Sequence, residues 1–303
     1  MEGLYYKHSG KFGMGGVLYA LVVGSVVACV GAFVYAYLVL YLPFVYINAL
    51  VTAGFGAGTG FVIATLLKKQ KVRSDAVALV VTLVVTGIAY YYAWAAWIWA
   101  LVRRNDGEAS VGDFFNMLVR PGVVWNLVVD INQHGAWSIR GGEPVTGWAL
   151  TIVWVAELAL IFGVSLAVAY AQMDESPFCE TCEEWGTKKP NVLQALAADV
   201  ATAKQRIEAK DFHYLESAGA PRPDSMEWLR LHLFSCPKCG SFHTLDAEKV
   251  KIKVESGKRK ENTSTAMHHL LLTASEAEAL QRLGEKMGPK SVAEMAQSAG
   301  ASA

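Results

Sequence analysis

Charge is scarce in this sequence, and the scarcity falls in one half. Asp, Glu, Lys and Arg make up 18% of the 303 residues, against about 25% in an ordinary globular chain. Up to Gln172 there are 10 Lys/Arg and 8 Asp/Glu, so 17 and 19 of the 27 of each sign come after it. Net charge is zero, and neither half carries the basic excess of a nucleic-acid footprint, which excludes nucleic acid as a partner. Cysteine is also rare: 5 residues, too few and too clustered for a disulfide scaffold. No nucleophile–base set, phosphate-binding loop or zinc motif with an open position appears, which argues against an enzyme.

The first half has hydrophobic length instead. Uncharged apolar runs over 15–42, 44–67, 76–102 and 146–171 are each long enough for a membrane-spanning helix. Pro43 breaks the first from the second, and Cys29 lies inside the first. The opening run is too long for a signal peptide and ends in no small-residue cleavage site, so it reads as a retained span. Lys7 and Lys11 precede span one, and Lys68, Lys69, Lys71 and Arg73 follow span two. These basic residues place both segments in the cytoplasm, although Arg103 and Arg104 oppose that orientation. Four spans then return the second half to the cytoplasm, with the inner membrane as the expected location.

Three features inside the spans carry candidate roles. Gly54, Gly56, Gly58 and Gly60 form two G-x-x-x-G pairs, which suit close helix packing; a glycine-lined conduction path is the sharper alternative. Their G-x-G-x-G run lies in a membrane span and is not a dinucleotide fingerprint. Glu157 sits near the middle of span four, where a carboxylate costs about 3 kcal/mol and needs a partner or a wet cavity. It reads either as a proton or cation handler or as a hydrogen-bonded link to Tyr, Trp or Thr of a neighbouring helix. Tyr90, Tyr91, Tyr92, Trp94, Trp97 and Trp99 read as an interfacial belt. Beyond them, Ser110 to Val119 and Val123 to His134 form two short amphipathic helical segments, the extracytoplasmic 110–135 region. His134 reads as loop surface.

The second half begins with metal chemistry. Cys179-Glu180-Thr181-Cys182 and Cys236-Pro237-Lys238-Cys239-Gly240 provide two C-x-x-C knuckles and four thiolates, the number for a closed tetrahedral site. Pro237 fixes φ on entry and Gly240 accepts a left-handed turn on exit. His213, His232 and His243 are spare, since four thiolates complete the shell. A helix is expected from Pro190 to about Asp211, a strand over Trp228–Phe234, a returning strand over Ser241–Leu245 and a clear period-two strand over Lys249–Glu255. Ser256-Gly257-Lys258 should turn that strand and Ala266–Thr273 pair back. A last helix opens at Ser275-Glu276, and an Ala/Ser-rich tail follows Gly288. The expected organisation is a four-span bundle over 1–172, a small α+β zinc-ribbon-like domain with a helical insertion over 173–287 and a flexible tail over 288–303.

The Asn132–Trp137 stretch, the Trp154…Glu157 pattern and the Phe178-Cys179-Glu180-Thr181-Cys182…Trp185 knuckle resemble uncharacterised bacterial multi-pass membrane proteins with a cytoplasmic four-cysteine zinc ribbon. The resemblance implies this architecture and brings no assigned activity. Structural zinc is the expected metal; iron is the alternative, because the second knuckle is similar to that of rubredoxins. Redox exchange through either C-x-x-C is weaker still. The expected role is a non-enzymatic subunit or scaffold binding other membrane or cytoplasmic proteins or a second copy of itself. The alternatives are a channel or transporter using Glu157 and the glycine-rich span, and an electron-transfer protein.

Overall fold

The computed structural model describes residues 3–42, 44–105, 107–135, 143–196, 199–222, 224–255 and 258–288. The expected Pro43 break, the Ser256-Gly257 turn, Trp137 and the tail after Gly288 lie outside these. The chain divides into two compact units, one of Ser9–Glu175 and one of the residues up to His8 together with those from Ser176 onward. The boundary expected near 172 therefore falls at Glu175, and the described residues before Ser9 leave the helical unit for the other one.

Four long helices build the Ser9–Glu175 unit: α1 (Met14–Tyr41), α2 (Val45–Lys69), α3 (Asp75–Asn105) and α6 (Gly147–Asp174). Each is long and apolar enough to cross a membrane, and each overlaps a run expected from sequence. Along α1 the buried residues apart from Tyr35 are small and four apart, Ala20, Gly24, Ala28, Ala32 and Ala36. That stripe lets α3 and α2 come close. Its large residues, such as Val22, Val26, Val30 and Val34, point outward and stay exposed. An apolar exterior of this kind is consistent with a membrane protein.

Two shorter helices, α4 (Val111–Val119) and α5 (Pro121–His134), are bent by 104° at their junction. Ser110 caps α4 in a reciprocal box with Asp113, which satisfies two otherwise orphaned N–H groups. Pro121 is tolerated in the first turn of α5 and Gly135 ends it. The aromatic end of α3 packs against these two helices. Trp99 Nε1 donates to Ser110 O at 2.8 Å, Tyr91 OH donates to Met117 O at 2.6 Å, and Trp99 packs with Phe114, Met117 and Val124.

The second unit holds a four-stranded antiparallel sheet in the order β3 (Thr187–Ala195), β4 (Glu227–Ser235), β5 (His243–Glu255), β6 (Lys258–Leu272). A two-stranded piece, β1 (Phe178–Cys179) with β2 (Glu184–Trp185), precedes it. Leu193, Leu229, Leu231, Leu233, Leu245 and Leu270 form the core with Ala203 and Ile207 of α7 (Val200–Glu208) and Leu280 of α9 (Ala274–Met287). Thr273, rather than Ser275, caps α9, in a box with Glu276.

The expected helix from Pro190 is corrected here: residues 187–195 form an edge strand, and among the described residues of the expected stretch the helix is Val200–Glu208. Leu193 and Ala195 are buried in alternation and pair opposite Leu231 and Leu229. A short apolar run is ambiguous in period, and the free side of β4 decided it. Pro190 survives because it stands on an edge beside a bulge, where Asn191 takes φ +54°. The strands expected over Ser241–Leu245 and Lys249–Glu255 merge into one that begins at His243, and its partner begins at Lys258 rather than Ala266. A short helix, α8 (His213–Ala218), was not foreseen.

The amino terminus supplies a further edge. Tyr5 bridges Leu270, Tyr6 N donates to His269 O at 2.8 Å, and Leu271 N donates to Leu4 O at 3.1 Å. These bonds cover part of the outer edge of β6, a row of groups otherwise open to stray pairing.

Candidate metal centre

The β1–β2 hairpin and the β4–β5 connection each present one cysteine pair. Antiparallel pairing of Phe178 with Trp185 and of Cys179 with Glu184 closes the first knuckle, helped by Gly186 N donating to Pro177 O at 2.7 Å. In the second, Cys236 N donates to Phe242 O at 3.0 Å and Gly240 N to Cys236 O at 3.2 Å. Gly240 takes φ +59° as its type allows. Glu183, the residue after Cys182, takes φ +52°. A non-glycine residue adopts that conformation at a cost of roughly 1–2 kcal/mol. Both knuckles therefore turn the same way, although only one has the favoured residue.

The four sulfurs of Cys179, Cys182, Cys236 and Cys239 lie within 4.8 Å of one another. Cys179 Sγ and Cys239 Sγ are 3.9 Å apart. Metal–sulfur bonds near 2.3 Å require tetrahedral sulfur separations of about 3.8 Å. The donor set thus fits one tetrahedral ion. Cys179 and Cys236 are buried while Cys239 is exposed.

Hydrogen bonding sets the proton balance among the thiols. Ser241 Oγ donates to Cys239 Sγ at 3.1 Å. That hydroxyl, with the Ser241 backbone N–H, pulls the Cys239 thiol down to about 5. Cys182 is pushed up to about 12, first by its hydrogen bond with Cys239, and burial pushes the Cys179 thiol up. Negative charge therefore does not accumulate on all four sulfurs by itself; a divalent ion removes that restriction. Lys238 Nζ meets Glu184 Oε1 at 2.7 Å, joining the two knuckles. Glu184 holds the Lys238 ammonium above the usual lysine range, and Cys182 and Cys236 add to the effect.

The three spare histidines stand outside the sulfur shell. His243 Nε2 lies 2.7 Å from Gly240 O and its Nδ1 lies 2.8 Å from Ser235 Oγ. It therefore braces the second knuckle from behind, as residues outside a metal shell do. His232 accepts from Asn191 N at 3.1 Å, and His213 is exposed beside Glu216. His134 is exposed and bonded to Asp130.

In the helical unit the glycines divide by face. A Cβ on Gly56 would sit 2.7 Å from Ile161 O, and one on Gly60 would overlap Ser165 O, so α6 lies directly against this row. Gly54 and Gly58 face open space and are exposed. Glu157 accepts a hydrogen bond from Tyr35 OH. Tyr35 OH is also 3.2 Å from Thr52 Oγ1, and its ring stacks on Phe55 at 4.7 Å. One carboxylate therefore ties α6 to α1 and, through Tyr35, to α2.

That tie makes a prediction. Glu157→Gln keeps an acceptor for Tyr35 and should cost less than about 1 kcal/mol, since bonds between membrane helices average about 0.6. Tyr35→Phe takes the donor away from the carboxylate and should destabilise the protein more. Thermal unfolding in detergent reads the order, and the reverse order removes Glu157's role as a helix link.

Sequence reasoning missed two features. His268-His269 is a doublet within a strand, where alternation would send the two rings to opposite faces. The β5–β6 register shift beside Leu245 and Ala247, with His269 at φ +53°, brings both to Asp246. Tyr6, at a polar terminus, accepts from Phe178 N at 3.1 Å, next to Cys179.

Fold and site together define a chain with four membrane-length helices and a small sheet domain carrying a four-cysteine cluster able to hold a metal ion. Compared with known proteins, the chain matches no family model, no curated protein and no solved structure.

Proposed function

We propose that this is an inner-membrane protein whose cytoplasmic, zinc-ribbon-like domain is stapled by structural zinc and serves as a docking subunit or scaffold in a membrane protein complex. The observation that carries the reading is the four-thiolate cluster. Four protein ligands fill a tetrahedral ion, which suits a staple rather than a reactive centre. Zinc is preferred to iron because Glu183 replaces the second glycine of a rubredoxin-like pair of knuckles and a long insertion separates them.

The topology has separate support. The amino terminus is paired with β6, within the same unit as the cysteines. Both then belong to one side of the membrane, which requires an even number of crossings. Four crossings meet that condition; a fifth made by α4 and α5 does not. Lys7, Lys11 and the basic residues after α2 favour the cytoplasm as that side, where thiols stay reduced. The open Gly54–Gly58 row favours a membrane partner or a second copy, because such rows admit close helix contact.

The test is purification from native membranes with elemental analysis. A stable partner or self-assembly that copurifies with zinc and is lost when the metal is chelated supports the reading. A lone monomer, or thiolate-to-iron colour, overturns it. Transport has Glu157 as its support, and unchanged cation flux through Glu157→Gln liposomes removes it.

A further inference from the structure

The β5–β6 pair carries a second group of ligand side chains that takes no part in the cysteine site. Asp246 on β5 faces His268 and His269 on β6, and their ligand atoms lie within 4.8 Å of one another. The arrangement is built. The register shifts between Leu245 and Ala247. His269 adopts φ +53°, a left-handed conformation that costs a residue with a Cβ roughly 1–2 kcal/mol. Bulge and left-handed turn together bring two successive rings to one side, with centroids 3.8 Å apart. Bulges and strained residues of this kind re-aim side chains and concentrate at functional sites.

We propose that Asp246, His268 and His269 form a second metal site, taking a divalent first-row transition ion through two imidazoles and one carboxylate. His269 Nδ1 lies 2.9 Å from Asp246 Oδ1, and His268 Nε2 lies 3.6 Å from Asp246 Oδ2. These separations bracket the edge of about 3.3 Å expected between ligands bonded at 2.0–2.1 Å. The carboxylate is oriented independently, because His269 N donates to its Oδ1 at 2.6 Å. Asp246 and His269 side chains are 10% and 3% exposed, whereas His268 is 37% exposed. An ion would therefore be held on the inner side and reached from the His268 side. Three protein ligands leave a position for water or an anionic ligand, unlike the cysteine site.

The competing account is an Asp–His pair that only pins the bulge, and metal stoichiometry separates the two. Full-length protein with zinc in the four-cysteine site is dialysed against Co²⁺ and analysed for both metals. Wild type should take up one cobalt beyond its zinc and show a weak nitrogen/oxygen-ligand spectrum. His268→Ala changes an accessible side chain, and Asp246→Asn keeps an acceptor for the His269 amide. Each should weaken that uptake at least tenfold while the zinc content stays at one. Wild type that takes up no cobalt, or a His268→Ala protein that takes up as much as wild type, overturns the proposal.

Discussion

Cys236→Ser should strip the ion from the four-cysteine site and loosen the knuckles while the sheet survives. Structural zinc sites bind with about 10–16 kcal/mol, energy that is spent on folding. A whole small domain is stable by about 5–15 kcal/mol. Taken alone, these figures predict collapse of the unit. The packing argues otherwise. Leu229, Leu231, Leu233, Leu245 and Leu270 are each no more than 1% exposed, and burial of each is worth roughly 1.5–3 kcal/mol. They lie in strands that flank the knuckles, with α7 and α9 completing the core. The knuckles have less support: β1 and β2 are two residues each and form a two-stranded ladder outside the main sheet, with Phe178 as their one fully buried large side chain. Loss of even a third of the binding energy, about 4 kcal/mol, lowers exchange protection about a thousandfold. Hydrogen exchange should report that loss over residues 178–186 and 236–242, with β4 to β6 still protected. Loosening should also reach the amino terminus, through Tyr6 and Phe178. Equal loss across the sheet would mean that the ion, not the leucine core, holds the unit together.

The contrast between these two cores explains what was legible in the sequence. Long uncharged runs permit few structures, so each of the four long helices overlaps its expected run. The second knuckle was legible too, because Cys236-Pro237-x-Cys239-Gly240 dictates its own turn. Residues 187–195 were not, since Val192 and Leu193 suit a helix or a strand, and the partner that decides is β4, far along the chain. The pairing of Tyr5 with Leu270 joins residues far apart in sequence and leaves no local pattern. Asp246 with His268 and His269 was hidden for a related reason: its geometry depends on a register shift, and strand periodicity assumes there is none. In the helical unit the glycine motif was visible, but both G-x-x-x-G pairs look alike in sequence. Only the position of α6 distinguishes Gly56 and Gly60 from Gly54 and Gly58.

That distinction gives the sharpest mutational contrast in the molecule. A side chain on Gly60 meets the Ser165 carbonyl, a backbone atom that cannot rotate away, so α2 and α6 must separate. Overpacking of this kind costs about 1–3 kcal/mol for small additions. Separation also strains the bond between Thr86 Oγ1 and Ser165 Oγ, 2.9 Å apart, and weakens the contact of Gly56 with Ile161 one turn away. Gly60→Leu should therefore lower the unfolding temperature in detergent markedly or prevent accumulation of folded protein, and Gly60→Ala should do so in part. Gly58→Leu places the same side chain in open space and should leave the isolated chain's stability within about 0.5 kcal/mol, as surface changes do. Where Gly54 and Gly58 meet a second helix, Gly58→Leu should instead reduce copurification of the partner or of a second copy. The pair of variants separates internal packing from assembly by two different readouts. Equal thermal loss from Gly58→Leu and Gly60→Leu would place both rows inside one bundle and leave the outer face of α2 without a binding role.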